Sequence, residues 1–104
     1  MNDTDDDIVW KVSLTRTAEK EAKKLPESVR LQINLLMREM EQCGPIRKNW
    51  PNFSALVGKE LPKHAYHCHI KKGKPTYVAC WCVEDKKVKI LEIFYVGSHE
   101  NAPY

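Results

Sequence analysis

The sequence predicts an α+β fold: a small antiparallel β-sheet packed on one face by an N-terminal helical hairpin, in the order β-α-α-β-β-β. Three observations carry this. Apolar residues recur at helical spacing from Val29 to Met40. They alternate with period two from Tyr66 to Ile70 and again from Tyr77 to Val83. Turn signals at Gly44-Pro45, KKGKP and Glu84–Lys87 separate those blocks.

Residues 1–7 hold Asp3, Asp5, Asp6 and Asp7 and no base, and read as a solvated, disordered acidic tail ahead of one domain spanning 8–104. Ile8, Trp10, Val12 and Leu14 alternate with Val9, Lys11 and Ser13, the pattern of a strand with one buried face. Thr17 is the expected N-cap of a first helix, AEKEAKKL, which Pro26 stops. Pro26 also suits the first turn of a second helix over about 27–42. That helix buries Val29, Ile33, Leu36 and Met40, and Gly44-Pro45 ends it.

Residues 45–62 read as an irregular connection carrying Trp50 and Phe53, with Leu56, Val57 and Leu61 entering a short strand. Three strands follow. In the first, Tyr66, Cys68 and Ile70 alternate with His67 and His69. In the second, Tyr77, Ala79, Trp81 and Val83 alternate with Val78, Cys80 and Cys82. Val88 to Val96 is apolar on both sides, as expected of a central strand.

The 104 residues suit one core, and no apolar run reaches the roughly 20 residues that span a bilayer. The start MNDTDDDIVW has no basic segment followed by an apolar one, so a cytoplasmic location is expected, with no membrane partner. Cys43, Cys68, Cys80 and Cys82 form no C-x-x-C pair and are expected to be free thiols. The chain carries 17 basic and 14 acidic side chains. Removing the four aspartates of the tail leaves +7 over residues 8–104, an excess that suits a polyanion.

Successive side chains of a strand point to opposite faces. With Tyr66, Cys68 and Ile70 toward the helices, His67 and His69 share the other, uncovered face. A hairpin closing at KKGKP pairs Ile70 with Tyr77, Cys68 with Ala79 and Tyr66 with Trp81. It sets His67 opposite Cys80 and His69 opposite Val78. Lys71, Lys72 and Lys74 stand beside the histidines, and His99 follows the last strand directly. Cleavage of RNA by its own 2′-hydroxyl needs a base, an acid and positive charge on the phosphate. Histidine titrates near neutrality and lysine neutralises phosphate. Tyr104 offers a ring to stack on a nucleobase.

His67, His69, His99 and Tyr104 are therefore the candidate catalytic residues. Lys59, Lys63, Lys71, Lys72 and Lys74 are the candidate RNA-binding cations. A zinc site from His67, His69, Cys80 and Cys82 is a second reading, although the spacing matches no usual ligand pattern. The plainer readings are surface histidines, a solvated lysine turn and a frayed C-terminal tyrosine.

The segments TAEKEAKKLPESVRLQI, AYHCHI, PTYVACWCV and EIFYVGSHENAPY, taken in order, resemble the RelE/ParE superfamily of toxin–antitoxin toxins, from about Ile8 to Tyr104. The ending, a last strand running into V-G-S-H and stopping at an aromatic, is similar to the RelE, HigB and YafQ branches. The resemblance implies a toxin that cuts mRNA in the ribosomal A site, leaves a 2′,3′-cyclic phosphate and needs no metal or cofactor. It implies an antitoxin partner, with the chain a monomer or in a heterocomplex with it. His67 and His69 fall where RelE has two lysines, and YafQ-like toxins carry a histidine at the second position. His99 falls where RelE has a catalytic arginine and the YafQ-like branch a histidine. His69 and His99 are the expected acid–base pair, with His67, Lys71 and Lys72 steadying the phosphate.

Two positions depart from the pattern. Val78 stands near the place of a RelE arginine, and Thr76 near that of a YafQ-like acidic group. The alternative is a non-catalytic RelE/ParE-fold binding protein, either a ParE-like gyrase inhibitor or a degenerate RNA-binding module.

Overall fold

A computed structural model describes residues 9–104. The acidic tail expected at 1–7, and Ile8, lie outside the described residues. The elements are strand β1 (Lys11–Leu14), helices α1 (Arg16–Lys23) and α2 (Glu27–Cys43), and strands β2 (Ser54–Leu56), β3 (Ala65–Lys71), β4 (Tyr77–Asp85) and β5 (Ile90–Ser98). A short 3-10 turn, His99–Asn101, follows β5.

The fold is α+β, as the patterning predicts, but the sheet is mixed. Its order is β1-β5-β4-β3-β2. β3, β4 and β5 meander antiparallel, while β1 lies parallel to β5 with Val12 beside Leu91. The expectation of a wholly antiparallel sheet is thus corrected. Alternating hydrophobicity tells which face a residue occupies and carries no information about the direction of the neighbouring strand. The short strand lies at Ser54–Leu56 and pairs with β3, adding a fifth member.

The helical hairpin begins two residues earlier than Thr17 predicts. The Thr15 hydroxyl accepts from the Ala18 amide at 3.0 Å and caps α1. Thr15 is also anchored through its own amide, which donates to the Ile93 carbonyl at 2.9 Å. α2 ends at Gly44, whose φ of +91° favours glycine. The Trp10 indole lies 3.0 Å from where a β-carbon would stand there, so the residue that stops α2 also lets the segment leading into β1 pack against its end, where the Val9 and Trp10 amides donate to the Glu41 carbonyl.

Val29, Ile33, Leu36 and Met40 form the inner stripe of α2. They pack on Cys68, Ile70, Ala79, Trp81, Leu91 and Ile93 of the sheet. Trp81 is fully buried, and its indole N–H donates to the Pro45 carbonyl at 3.0 Å, which satisfies its one polar atom. The last strand starts at Ile90 rather than Val88. Val88 is exposed in a longer turn, held by its amide on the Asp85 carboxylate at 3.0 Å. All four cysteines are free, with only Cys43 exposed.

Candidate active site

The register places His67 opposite Cys80 and His69 opposite Val78. Cys80 in turn lies opposite Tyr95, and Val78 opposite Gly97. The face away from the helices therefore carries two rows: Ser54, His67, Cys80 and Tyr95 in one, and His69, Val78 and Gly97 in the other. This face is not uncovered. The 3-10 turn folds back on it and brings Tyr104 to 4.4 Å, centroid to centroid, from the His67 ring. His67 is only 8 % exposed as a result, and Val78 and Cys80 are fully buried.

His99 is set by its backbone. Its amide donates to the Thr76 carbonyl at 2.7 Å, which pins the chain as it leaves β5 to the start of β4. Just upstream, Tyr95 hydroxyl donates to the Ser98 carbonyl at 2.7 Å. That path crosses Gly97, whose φ is +156° and whose missing β-carbon would stand 2.8 Å from the Tyr95 oxygen. The glycine of the V-G-S-H ending thus makes room for the tyrosine that shapes the approach to His99. Its role has no signal in the local pattern beyond the glycine itself.

The rings converge. His69 and His99 lie 5.4 Å apart edge-on, His67 and His69 6.0 Å, and His99 and Tyr104 5.9 Å. An open cleft of about 670 Å³ runs between His69 and His99, with Gly73, Lys74, Thr76 and Glu100 in its walls. Burial holds the His67 imidazole below the usual histidine range, and the charges of His69 and His99 push the same way. A hydrogen bond with Ser54 opposes them. Burial also lowers His69, with His99 and Lys72 adding to it. Tyr104 keeps 43 % of its surface exposed, yet burial of its phenol pushes it up to about 12, so it stays neutral.

Ser54 was not anticipated. Its hydroxyl sits 3.2 Å from His67 Nδ1 across the β2–β3 pair, where it can donate to that nitrogen or accept from it, and so gives the buried ring a hydrogen-bond partner. The sequence suggests a short strand entered by Leu56, Val57 and Leu61, but β2 ends at Leu56 with Val57 exposed, and no local pattern places Ser54 beside His67.

The lysines divide. Lys74 lines the cleft between His69 and His99, and Lys72 lines the adjoining one with His69. Lys71 also borders that adjoining cleft, but its ammonium is drawn to the helix side. A bulge between His69 and Lys71 sets Lys71, not Ile70, opposite Tyr77. Directly opposed residues share a face, so the bulge turns Lys71 to the helix side, where its ammonium donates to the Ser28 hydroxyl of α2 at 2.9 Å. Lys59 and Lys63 lie in the exposed connection before β3, at the end of that strand away from Lys71, and line neither cleft that contains His69.

The zinc reading finds no geometric support. Burial pushes Cys80 and Cys82 up to about 12, against the thiolate a metal would need. Among the described residues no group of three or more His, Cys, Asp or Glu side chains converges in a form able to hold an ion. No described helix is long and apolar enough to cross a membrane.

No family model and no curated protein sequence matches the chain. Solved structures do. A chain of the archaeal RelE–RelB complex from Pyrococcus horikoshii OT3 superposes with a TM-score of 0.69 at 15 % identity, over 91 % of this chain and 100 % of that one. The isolated E. coli RelE toxin gives 0.64 at 24 % identity, over 90 % and 88 %. The YoeB dimer from Staphylococcus aureus gives 0.66 at 14 %, over 88 % and 98 %. The superpositions take in about nine-tenths of this chain, and its α+β fold of two helices on a five-stranded mixed sheet is the RelE fold.

Proposed function

We propose that the chain is the toxin of a type II toxin–antitoxin system, a cytoplasmic endoribonuclease that cuts mRNA on the ribosome and is silenced by a protein antitoxin. The observation that carries the reading is the clustering of the His67, His69, His99 and Tyr104 rings, with His69 and His99 lining a cleft that Lys74 also walls and His69 lining an adjoining one with Lys72. Several RelE-fold neighbours are toxin–antitoxin complexes, which supports an antitoxin partner.

In this mechanism neutral His69, favoured by its lowered pKa, takes the proton from the ribose 2′-hydroxyl. The 2′-oxygen attacks phosphorus as the P–O5′ bond breaks, and His99 protonates the departing 5′-oxygen. The products are a 2′,3′-cyclic phosphate and a 5′-hydroxyl. Lys74 and Lys72 neutralise the charge that builds on the phosphate. Tyr104 stacks on the base next to the cut and His67 supports it from below.

Induced expression of wild type beside His69→Ala and His99→Ala tests this, with growth and the 5′ ends of translated mRNAs as readouts. Wild-type arrest with new cuts inside coding regions, lost in both variants, is expected. Arrest that persists in both variants with intact mRNA would overturn the nuclease assignment and favour the non-catalytic binding reading.

A further inference from the structure

The cleft between His69 and His99 does not end at the sheet. It meets a second cleft, of about 420 Å³, through His69 and Thr76. The second meets a third, of about 470 Å³, through Pro51, Ile70 and Lys71. This third cleft lies against α2, where Gln32, Glu39, Asn49 and Trp50 line it. Its wall is tied to the catalytic strand, because the His69 amide donates to the Pro51 carbonyl at 2.8 Å. The path leads around the C-terminal end of β3, over the bulge that turns Lys71 to the helix side.

The chemistry of the third cleft is uneven. One carboxylate oxygen of Glu39, Oε1, accepts all three neighbouring donors: Arg47 at 3.0 Å, Asn49 at 3.0 Å and the Trp50 indole at 2.9 Å. Among the described residues Oε2 has no hydrogen-bond partner, yet it is not buried; nor do the carbonyl oxygen of Asn49 and the amide of Gln32 have one. The cleft therefore offers one free carboxylate oxygen, Glu39 Oε2, beside the Asn49 carbonyl and the Gln32 amide, which can donate or accept, while Arg47 pairs with the other oxygen of Glu39; Lys71 stands where this cleft meets the second. With Arg47 paired to Oε1, the free Oε2 is still an acceptor that welcomes an N–H donor. A carboxylate accepting from an exocyclic amine is a standard way to read a base edge.

We propose that this cleft is a nucleotide subsite that holds the base of a single-stranded RNA residue flanking the scissile step, and that it prefers a base bearing an exocyclic amine over uracil. Lys71 meets the phosphate that links this residue to the catalytic cleft. Glu39, Gln32 and Asn49 read the base, and the Trp50 ring forms one wall. The proposal rests on the RNA-cleavage reading and deepens it by assigning a source of sequence preference.

The test uses His69→Ala protein, labelled for NMR, titrated with the pentanucleotides rA5, rC5 and rU5. The expected result is a shift of the His99 ring together with the side-chain amides of Gln32 and Asn49. Affinity for rA5 and rC5 should exceed that for rU5 by about tenfold, the order expected for one good base contact. Glu39→Gln and, independently, Gln32→Ala should each bring the three affinities closer together. Gln32→Ala removes no internal hydrogen bond among the described residues, so its fold is not at issue. Shifts at His99 with Gln32 and Asn49 silent would overturn the subsite and leave the RNA site standing. Shifts at all three with no preference against rU5, or a preference untouched by either variant, would overturn the acceptor argument. No shift anywhere would remove the RNA reading and the subsite with it.

Discussion

Gly97→Ala probes the geometry that sets His99. The substitution meets two obstacles. The backbone at residue 97 has a φ of +156°, where an L-residue is strained. Holding alanine in such a conformation costs on the order of 1–3 kcal/mol. The new β-carbon would also stand 2.8 Å from the Tyr95 oxygen and 3.1 Å from its ring carbon. Moving the ring breaks the 2.7 Å hydrogen bond to the Ser98 carbonyl, worth about 1 kcal/mol. Together these give about 2–4 kcal/mol, and a domain of this size loses roughly 5 °C of Tm per kcal/mol. The expected fall in Tm is therefore about 10–20 °C by thermal denaturation followed by circular dichroism. Tyr95→Phe, which keeps the ring and loses the oxygen, should cost only about 1 kcal/mol. In that background Gly97→Ala should cost less than it does alone, because the closest contact is gone. A Gly97→Ala protein that melts within about 3 °C of wild type would refute the reasoning, since neither the strain nor the crowding would then be real.

Three further predictions follow from the same geometry. Thr15→Ala removes the cap of α1 and should destabilise by about 1 kcal/mol in a denaturant titration, whereas Thr17→Ala should be near neutral, because Thr17 lies inside the helix. His67 and His69 have pKa values below the ordinary 6.5 in the folded state, so the unfolded chain binds protons first as the pH falls. The stability they contribute is complete above that value and declines as the pH drops from it toward their folded pKa values. Tm should fall on acidification from pH 7.5 to 5.5, and His67→Asn with His69→Asn should flatten that slope; an unchanged slope would contradict the lowered pKa values. Lys74→Ala should weaken binding of single-stranded RNA about equally for all sequences and reduce the slope of log K against log salt by about 0.7. An undiminished slope would remove Lys74 from the phosphate path.

The Glu39 cluster shows how a connection without periodicity becomes a defined structure. Arg47, Asn49 and Trp50 come from a stretch with no alternation and no helical spacing, and all three donate to one carboxylate oxygen on α2. Those bonds outweigh the burial of Glu39 and hold its carboxyl below the usual range, so it stays charged at neutral pH. Nothing in the residues 45–53 announces this partner. It depends on where α2 lies once its apolar stripe has found the sheet.

Local patterns alone determined the element types, the inner stripe of α2 and the sharing of one sheet face by His67 and His69. The 3.6-residue and two-residue periods are properties of a short stretch of backbone and are written directly in the order of apolar residues. The register of β3 on β4 from Tyr66 to His69 was also legible, because the KKGKP turn and the alternation agree there. Tertiary structure decided the rest. It set β1 parallel to β5, placed the bulge that carries Lys71 to the helix side, and folded the C-terminal turn over His67. Each of these joins residues far apart in the chain or shifts a pairing by one residue. Their energies come from contacts that exist only after the sheet has assembled, so no window of the sequence contains them.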